Sequence, residues 1–184
     1  MTAATPTETK LVTGEDLFAM GDIGPSELID GRIVPMSPAG GKHGYIEPKL
    51  ASYLDDFLEG DNNAWVLVGE VGIYIRRNPD RIRAADVAVF SKERLPEIPD
   101  TYIDTAPELA IEIMSPTDIW SNVRTKIDDY FSIGVEQVWI VEPDTRTVLV
   151  FHSATAFAKL GVDDTLIGQS ILDGFRLPIA PLFA

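Results

Sequence analysis

The sequence predicts an α+β fold in one domain, and three observations carry that prediction. Residues 106–141 read as strand, helix and strand in succession. Glu27 to Val34 places Asp30-Gly31 between two apolar runs, the signature of a tight hairpin. The length of 184 residues, with 45% hydrophobic and 24% charged content, suits one ordinary core and not two comfortable ones. Neither an internal repeat nor a linker divides the chain, so one domain over residues 1–184 is the economical reading.

Taken in order, residues 1–12 are polar and read as a flexible lead-in. Thr13 caps a short helix from Gly14 to Met20, with Glu15 and Asp16 in the first turn where the helix dipole favours acids. Gly21 to Pro25 turns the chain into the hairpin, and Pro35 to Gly41 leads out of it. A second helix is expected from His43 to Leu58, with Ile46, Leu50, Leu54 and Phe57 along one side. Pro48 lies inside that pattern, so the helix either starts near it or kinks there. Ala64 to Ile75 reads as a long strand, bent or bulged around Gly69, Glu70 and Gly72. Arg76 to Arg83 reads as a charged turn, and Asp86 to Phe90 as a short strand with an acid at its entrance. Ser91 to Pro107, with Pro96, Pro99 and Pro107, reads as a long surface loop.

The central unit opens with Leu109 to Met114, apolar but for Glu112. A carboxylate in such a strand is costly to bury unless something pairs with it. Ser115-Pro116-Thr117-Asp118 then has the marks of a helix start: a capping serine, a proline suited to the first helical position, and an acid able to reach back. Trp120, Val123, Ile127 and Tyr130/Phe131 form the stripe expected to face a core, and Gly134 suits a left-handed cap. Lys126 stands at the edge of that stripe, and Val135 to Val141 is the second strand. Glu142 to Arg146 turns the chain into another strand, Thr147 to His152. Turn signals follow at Gly161 and Asp173-Gly174, and Phe175 to Phe183 packs without evident chemistry.

Composition excludes several classes. No run approaches the roughly 18 apolar residues of a membrane helix. The first ten residues lack the apolar segment of a secretory signal. With no cysteine, disulfides, thiolate zinc sites and cysteine nucleophiles are ruled out, in keeping with a cytoplasmic protein. The 15 Lys/Arg against 29 Asp/Glu give a net charge of −14, the wrong balance for tight non-specific coating of DNA. Arg76, Arg77, Arg81 and Arg83 nonetheless form a local basic strip.

The candidate chemistry centres on Asp86 and Glu112. If their strands are neighbours, two carboxylates converge, and with a backbone carbonyl they suit a hard divalent cation such as Mg²⁺. The same positions also suit a strand-capping acid and a structural ion pair. Lys126 reads either as a snorkelling surface lysine or as a cation beside the acids. Glu27 opens the hairpin, and His43 sits at a helix start where surface or capping roles are common. Gly40-Gly41-Lys42 ends like a phosphate loop, but the first glycine of that motif is replaced by Met36. No GxSxG, HExxH or GxGxxG is present.

The runs ELIDGRIVPMSPAGGKHG, AADVAVF, APELAIEIMSP, GVEQVWIVEP and GFRLPI, in this order from about Leu17 to Phe183, resemble the Uma-two family of endonucleases within the PD-(D/E)XK superfamily. The resemblance implies a restriction endonuclease-like mixed β-sheet flanked by helices. It makes Asp86 the aspartate of the PD element, Glu112 the acid of the (D/E)XK element, and Ile113 the residue whose carbonyl completes the metal shell. It matches Glu27 to an early acid that joins the catalytic set by helping to bind a metal or a water, and His43 to an accessory histidine after the loop. Ala85 stands in the place of the proline, and Met114 in that of the lysine, a role the resemblance moves to Lys126. It further implies Mg²⁺ or Mn²⁺ as cofactor, DNA as substrate, phosphodiester hydrolysis as the reaction and a homodimer as the assembly. The rival reading is a nuclease-like interaction module without activity.

Overall fold

The computed structural model describes residues 11–60 and 63–184. Most of the expected lead-in, residues 1–10, lies outside the described residues. In chain order come α1 (Gly14–Ala19), β1 (Ser26–Ile29), β2 (Arg32–Pro35), α2 (Gly41–Leu58), β3 (Ala64–Arg76), β4 (Arg81–Ser91) and β5 (Leu109–Ile113). They are followed by α3 (Trp120–Ser132), β6 (Gln137–Glu142), β7 (Thr147–Ser153), β8 (Ala156–Leu160), β9 (Thr165–Ile167), β10 (Arg176–Pro178) and α4 (Ile179–Leu182).

Eight strands form one sheet in the order β2-β1-β4-β5-β6-β7-β8, with β3 paired along β4. The β5–β6 pair is parallel and its neighbours are antiparallel, so the sheet is mixed. The parallel pairing follows from α3, which carries the chain back across the sheet before β6 begins. One face of the sheet packs against α2, through Ile46, Leu50, Leu54 and Leu58. The other packs against α3, through Val123, Ile127 and Tyr130. The β9–β10 hairpin and α4 close over the α2 side with Leu166, Phe175, Leu177, Ile179 and Leu182. The expected α+β mixed sheet flanked by helices is what the chain forms.

Local chemistry accounts for the elements. Thr13 Oγ1 accepts the Asp16 N–H at 3.0 Å while the Asp16 carboxylate accepts the Thr13 N–H at 3.2 Å, a reciprocal cap on α1. Asp30 and Gly31 take φ values of 54° and 73°, as a two-residue hairpin turn demands. Gly134, at φ 95°, stops the chain after α3.

Several expectations shift. Asp86 does not open a short strand; it lies in the middle of β4, and the charged turn shrinks to residues 77–80. Arg81 and Arg83 look like turn residues by composition, but acids neutralise them inside the fold, so the strand begins five residues before Asp86. The helix after β5 starts later than Ser115-Pro116 indicates. Asp118 does reach back, accepting the Ser115 N–H at 2.7 Å while its own N–H bonds the Ser115 carbonyl at 3.0 Å. That closes a separate turn, α3 begins at Trp120, and Trp120 is exposed rather than part of the core stripe. Helix α2 starts at Gly41 and runs through Pro48, and Leu58 takes the buried place expected of Phe57. Residues 91–107 are not wholly superficial, since Leu95 and Ile103 are buried and Ile103 bridges to Ile73. No helix among the described residues is long and apolar enough to cross a membrane.

Candidate active site

The site forms where the sheet changes partners. One edge of β4 pairs with β3 along its length. The other edge pairs with β1 at Ile82 and with β5 from Val87 to Val89. Residues 83–86 fall in the gap between these two neighbours. Backbone groups left without a ladder partner in a buried place must find another, and side chains supply it. Glu27 Oε1 accepts the Ala84 N–H at 3.2 Å, and Lys126 Nζ donates to the Ala84 carbonyl at 3.0 Å. A few residues on, the Asp86 carboxylate accepts the Ile113 N–H at 2.6 Å, where β5 ends.

On the opposite edge of β4 from this gap, β3 carries a bulge. Val68 pairs with Val87 and Val71 with Ala85, so Gly69 and Glu70 together stand against Asp86. Both bulge residues have positive φ, 85° and 54°. The bulge directs Glu70 into a cavity of about 530 Å³ that Glu27, His43, Arg83, Asp86, Glu112, Ile113 and Lys126 also line. All the site residues expected from sequence therefore reach one cavity.

They reach it from two sides. Asp86 is held from α2, with His43 Nε2 3.1 Å from Asp86 Oδ2. The Asp86 hydrogen bond, opposed by burial, lifts the His43 pKa above 6.5. The other ring nitrogen, Nδ1, is buried without a hydrogen-bond partner and lies 3.5 Å from Glu47 Oε2. Glu112 is held from α3, where Lys126 Nζ donates to Oε2 and Tyr130 Oη to Oε1, each at 2.6 Å. Burial pushes the Glu112 carboxyl up to about 7, against the downward pull of Lys126. Burial would lower Lys126, but Glu112 and Glu27 outweigh it and hold the ammonium above its ordinary value.

Glu27 sits at the hub of an ion-pair network. Its Oε1 lies 3.1 Å from Lys126 Nζ and its Oε2 accepts from Arg83 at 2.7 Å. Burial opposes ionisation of Glu27, yet Lys126 and Arg83 hold its pKa below the usual carboxylate value. Arg83 in turn bonds Asp129 at 2.7 Å, and Asp129 bonds Arg81 at 2.8 Å. Glu27 thus orients the cations that frame the site.

The arginines of the basic strip read from the sequence all stand in ion pairs within the chain. Arg76 and Arg81 meet Asp30, Arg77 meets Glu15 and Asp104, and Arg83 meets Glu27 and Asp129. Sequence reasoning also missed two of the residues that organise the site. Tyr130 reads as core by its periodicity, and nothing beside Asp129 in the sequence marks it as an arginine partner. The usable signal was Lys126, Asp129 and Tyr130 at helical spacings of three and four, one polar edge on an otherwise apolar face.

The donors suit a hard cation: carboxylate oxygens from Asp86 and Glu112, and the backbone carbonyl of Ile113. Among the described residues, no group of three or more His, Cys, Asp or Glu converges to hold an ion by itself.

Comparison with known proteins gives a consistent picture. The family model described as "Uma2: Putative restriction endonuclease" matches residues 15–180. A solved structure described as "a putative nuclease belonging to DUF820 from Anabaena variabilis ATCC 29413" is similar with a TM-score of 0.79 and 24% sequence identity. The match covers 94% of this chain and 97% of that one, and it shows a shared fold. No curated protein matches the chain.

Proposed function

The chain belongs to the Uma2 family, described as "Putative restriction endonuclease", and from that premise we propose that it is a metal-dependent endonuclease hydrolysing DNA phosphodiester bonds. The observation that carries the reading is the charge of the cavity. Glu27, Glu70, Asp86, Glu112 and Asp118 line it against Arg83 and Lys126, both already in ion pairs. A phosphodiester cannot enter such a place without added positive charge, and oxygen donors at Asp86, Glu112 and Ile113 supply a seat for it.

Asp86 and Glu112 would hold Mg²⁺ or Mn²⁺, with the Ile113 carbonyl beside them. Bound there, the ion lowers the pKa of a coordinated water and polarises the phosphoryl oxygens. Lys126, held by Glu27 and the Ala84 carbonyl, orients the attacking water and faces the charge that builds on phosphorus. His43 keeps Asp86 turned to the cavity, and Tyr130 does the same for Glu112. The test is cleavage of plasmid and branched DNA with Mg²⁺ or Mn²⁺, beside Glu112→Ala. Metal-dependent cleavage lost in the variant is the expected result; cleavage that survives it removes Glu112 from the reaction.

A second reading, a nuclease-like binding module without catalysis, draws on one observation. Both oxygens of Glu112 are taken by Lys126 and Tyr130, so an ion must compete for them. Absence of cleavage by the wild-type protein with either metal selects this reading.

A further inference from the structure

Glu27, Glu70, Asp86, Glu112 and Asp118 are the acids that line the cavity. All but Glu70 are held by other groups of the chain. Glu27 meets Arg83 and Lys126, and Asp86 meets the Ile113 N–H and His43. Glu112 meets Lys126 and Tyr130, and Asp118 accepts the Ser115 N–H. Glu70 is half-buried, and its carboxylate has no hydrogen bond and no ion pair among the described residues.

The backbone beneath that carboxylate is strained. Glu70 has φ 54°, a left-handed conformation that glycine takes freely and that costs a residue carrying a Cβ. No polar contact of the side chain offsets the cost, yet the placement is enforced. The Gly69 N–H donates to Glu47 Oε1 at 3.1 Å, so α2 clamps the bulge. One turn earlier on the same helix, His43 holds Asp86, which stands across the ladder from the bulge. A single turn of α2 thus sets Glu70 and Asp86 in relation to each other. Backbone strain that the surroundings impose in a site points to use of the residue there.

An unheld carboxylate among other acids suits a cation, or the water that a cation carries. Mg²⁺ is usually held by one or two carboxylates and keeps several waters, which need acceptors of their own. Resting on the metal-dependent reading above, we propose that Glu70 is a further working residue of this site. It is held on the bulge so that its carboxylate accepts hydrogen bonds from water carried by a divalent cation at Asp86 and Glu112. Glu70 acts on the ion through that water, and groups in such a position commonly change metal affinity about 10–100-fold.

The experiment is calorimetric titration of the full-length protein with Mn²⁺ alone, without DNA. It compares the wild type with Glu70→Gln, Glu70→Gly and Asp118→Asn, and the metal-free proteins are melted in parallel. The expected result is a loss of affinity of about tenfold in both Glu70 variants. Asp118→Asn, which removes an equal charge from the same cavity, keeps close to wild-type affinity. Metal-free Glu70→Gly melts at or above the wild-type temperature, because the change relieves the left-handed backbone. Wild-type affinity in either Glu70 variant overturns the proposal. An equal loss in Asp118→Asn also overturns it, by reducing the effect to net charge. So does a melting temperature of Glu70→Gly well below wild type, which assigns the side chain to the fold. The nuclease reading is judged separately, by cleavage. Glu70-dependent Mn²⁺ binding in a protein that cuts no DNA overturns only that reading. Glu112-dependent cutting with Mn²⁺ affinity indifferent to Glu70 overturns only this inference, and no Mn²⁺ binding by the wild type overturns both.

Discussion

Lys126 Nζ lies 2.6 Å from Glu112 Oε2, across the fourteen residues that separate the end of one strand from the second turn of the next helix. Neither group is stable alone in this setting. The ammonium donates to Glu112 and to the Ala84 carbonyl, and Glu27 Oε1 lies 3.1 Å away as a second ion-pair partner.

Removing one partner should therefore cost far more than removing both. Lys126→Met leaves Glu112 buried without its cation and Glu27 with Arg83 alone, a loss of about 3–5 kcal/mol. Adding Glu112→Gln to that variant should recover about 1–3 kcal/mol. Urea denaturation of the two single variants and the double variant measures this coupling, and strictly additive losses would contradict it.

Burial raises the Glu112 carboxyl from an ordinary 4.5 to about 7. The folded state therefore holds this proton more tightly than the unfolded chain, and stability falls as pH rises from 4.5 to about 7. His43 acts in the same direction: the Asp86 hydrogen bond raises it above 6.5, so its contribution is full below 6.5 and is lost as pH climbs through the folded value. Glu27, held below 4.5, contributes above that value and loses its effect only as pH falls beneath it. Stability should be higher at pH 5.5 than at pH 8 by chemical denaturation, and Glu112→Gln should flatten the slope between 4.5 and 7.

On the metal reading, Mn²⁺ should raise the melting temperature of the wild-type protein and leave Asp86→Asn unchanged. Free ion at a hundred times its dissociation constant contributes about 2.7 kcal/mol. Affinity should rise between pH 6 and 8, because the ion must displace a proton from Glu112 and compete with Lys126. Calorimetric titration at the two pH values measures this, and equal affinities would argue against Glu112 as a ligand.

Asp129 touches neither Asp86 nor Glu112, yet it anchors Arg83 and Arg81. Asp129→Ala should destabilise the fold by about 3 kcal/mol, because Arg83 is left buried with one partner fewer. Activity per folded molecule should also fall, since Arg83 fixes Glu27 and Glu27 fixes Lys126. Asp129→Glu, which keeps the charge, should restore part of both. Full activity in Asp129→Ala at a temperature where it is folded would sever that link.

Much of this was legible in the chain. Periodicity marked α2, α3 and the strands beside them, because a face buried along a regular element must repeat with that element's period. Asp30-Gly31 and Gly134 announced a turn and a helix end, since few other residues accept a positive φ. Glu112 drew notice because an acid in an apolar strand needs a partner. Tertiary structure alone decided the rest. Arg83 belongs to a strand and not to a turn because Asp129, forty-six residues on, neutralises it inside the fold. The site opens at Ala84 because β1 and β5 divide one edge of β4 between them. Local sequence carries propensity and pattern. Which backbone groups a sheet leaves unpaired, and which distant side chains satisfy them, is set only when the strands come together.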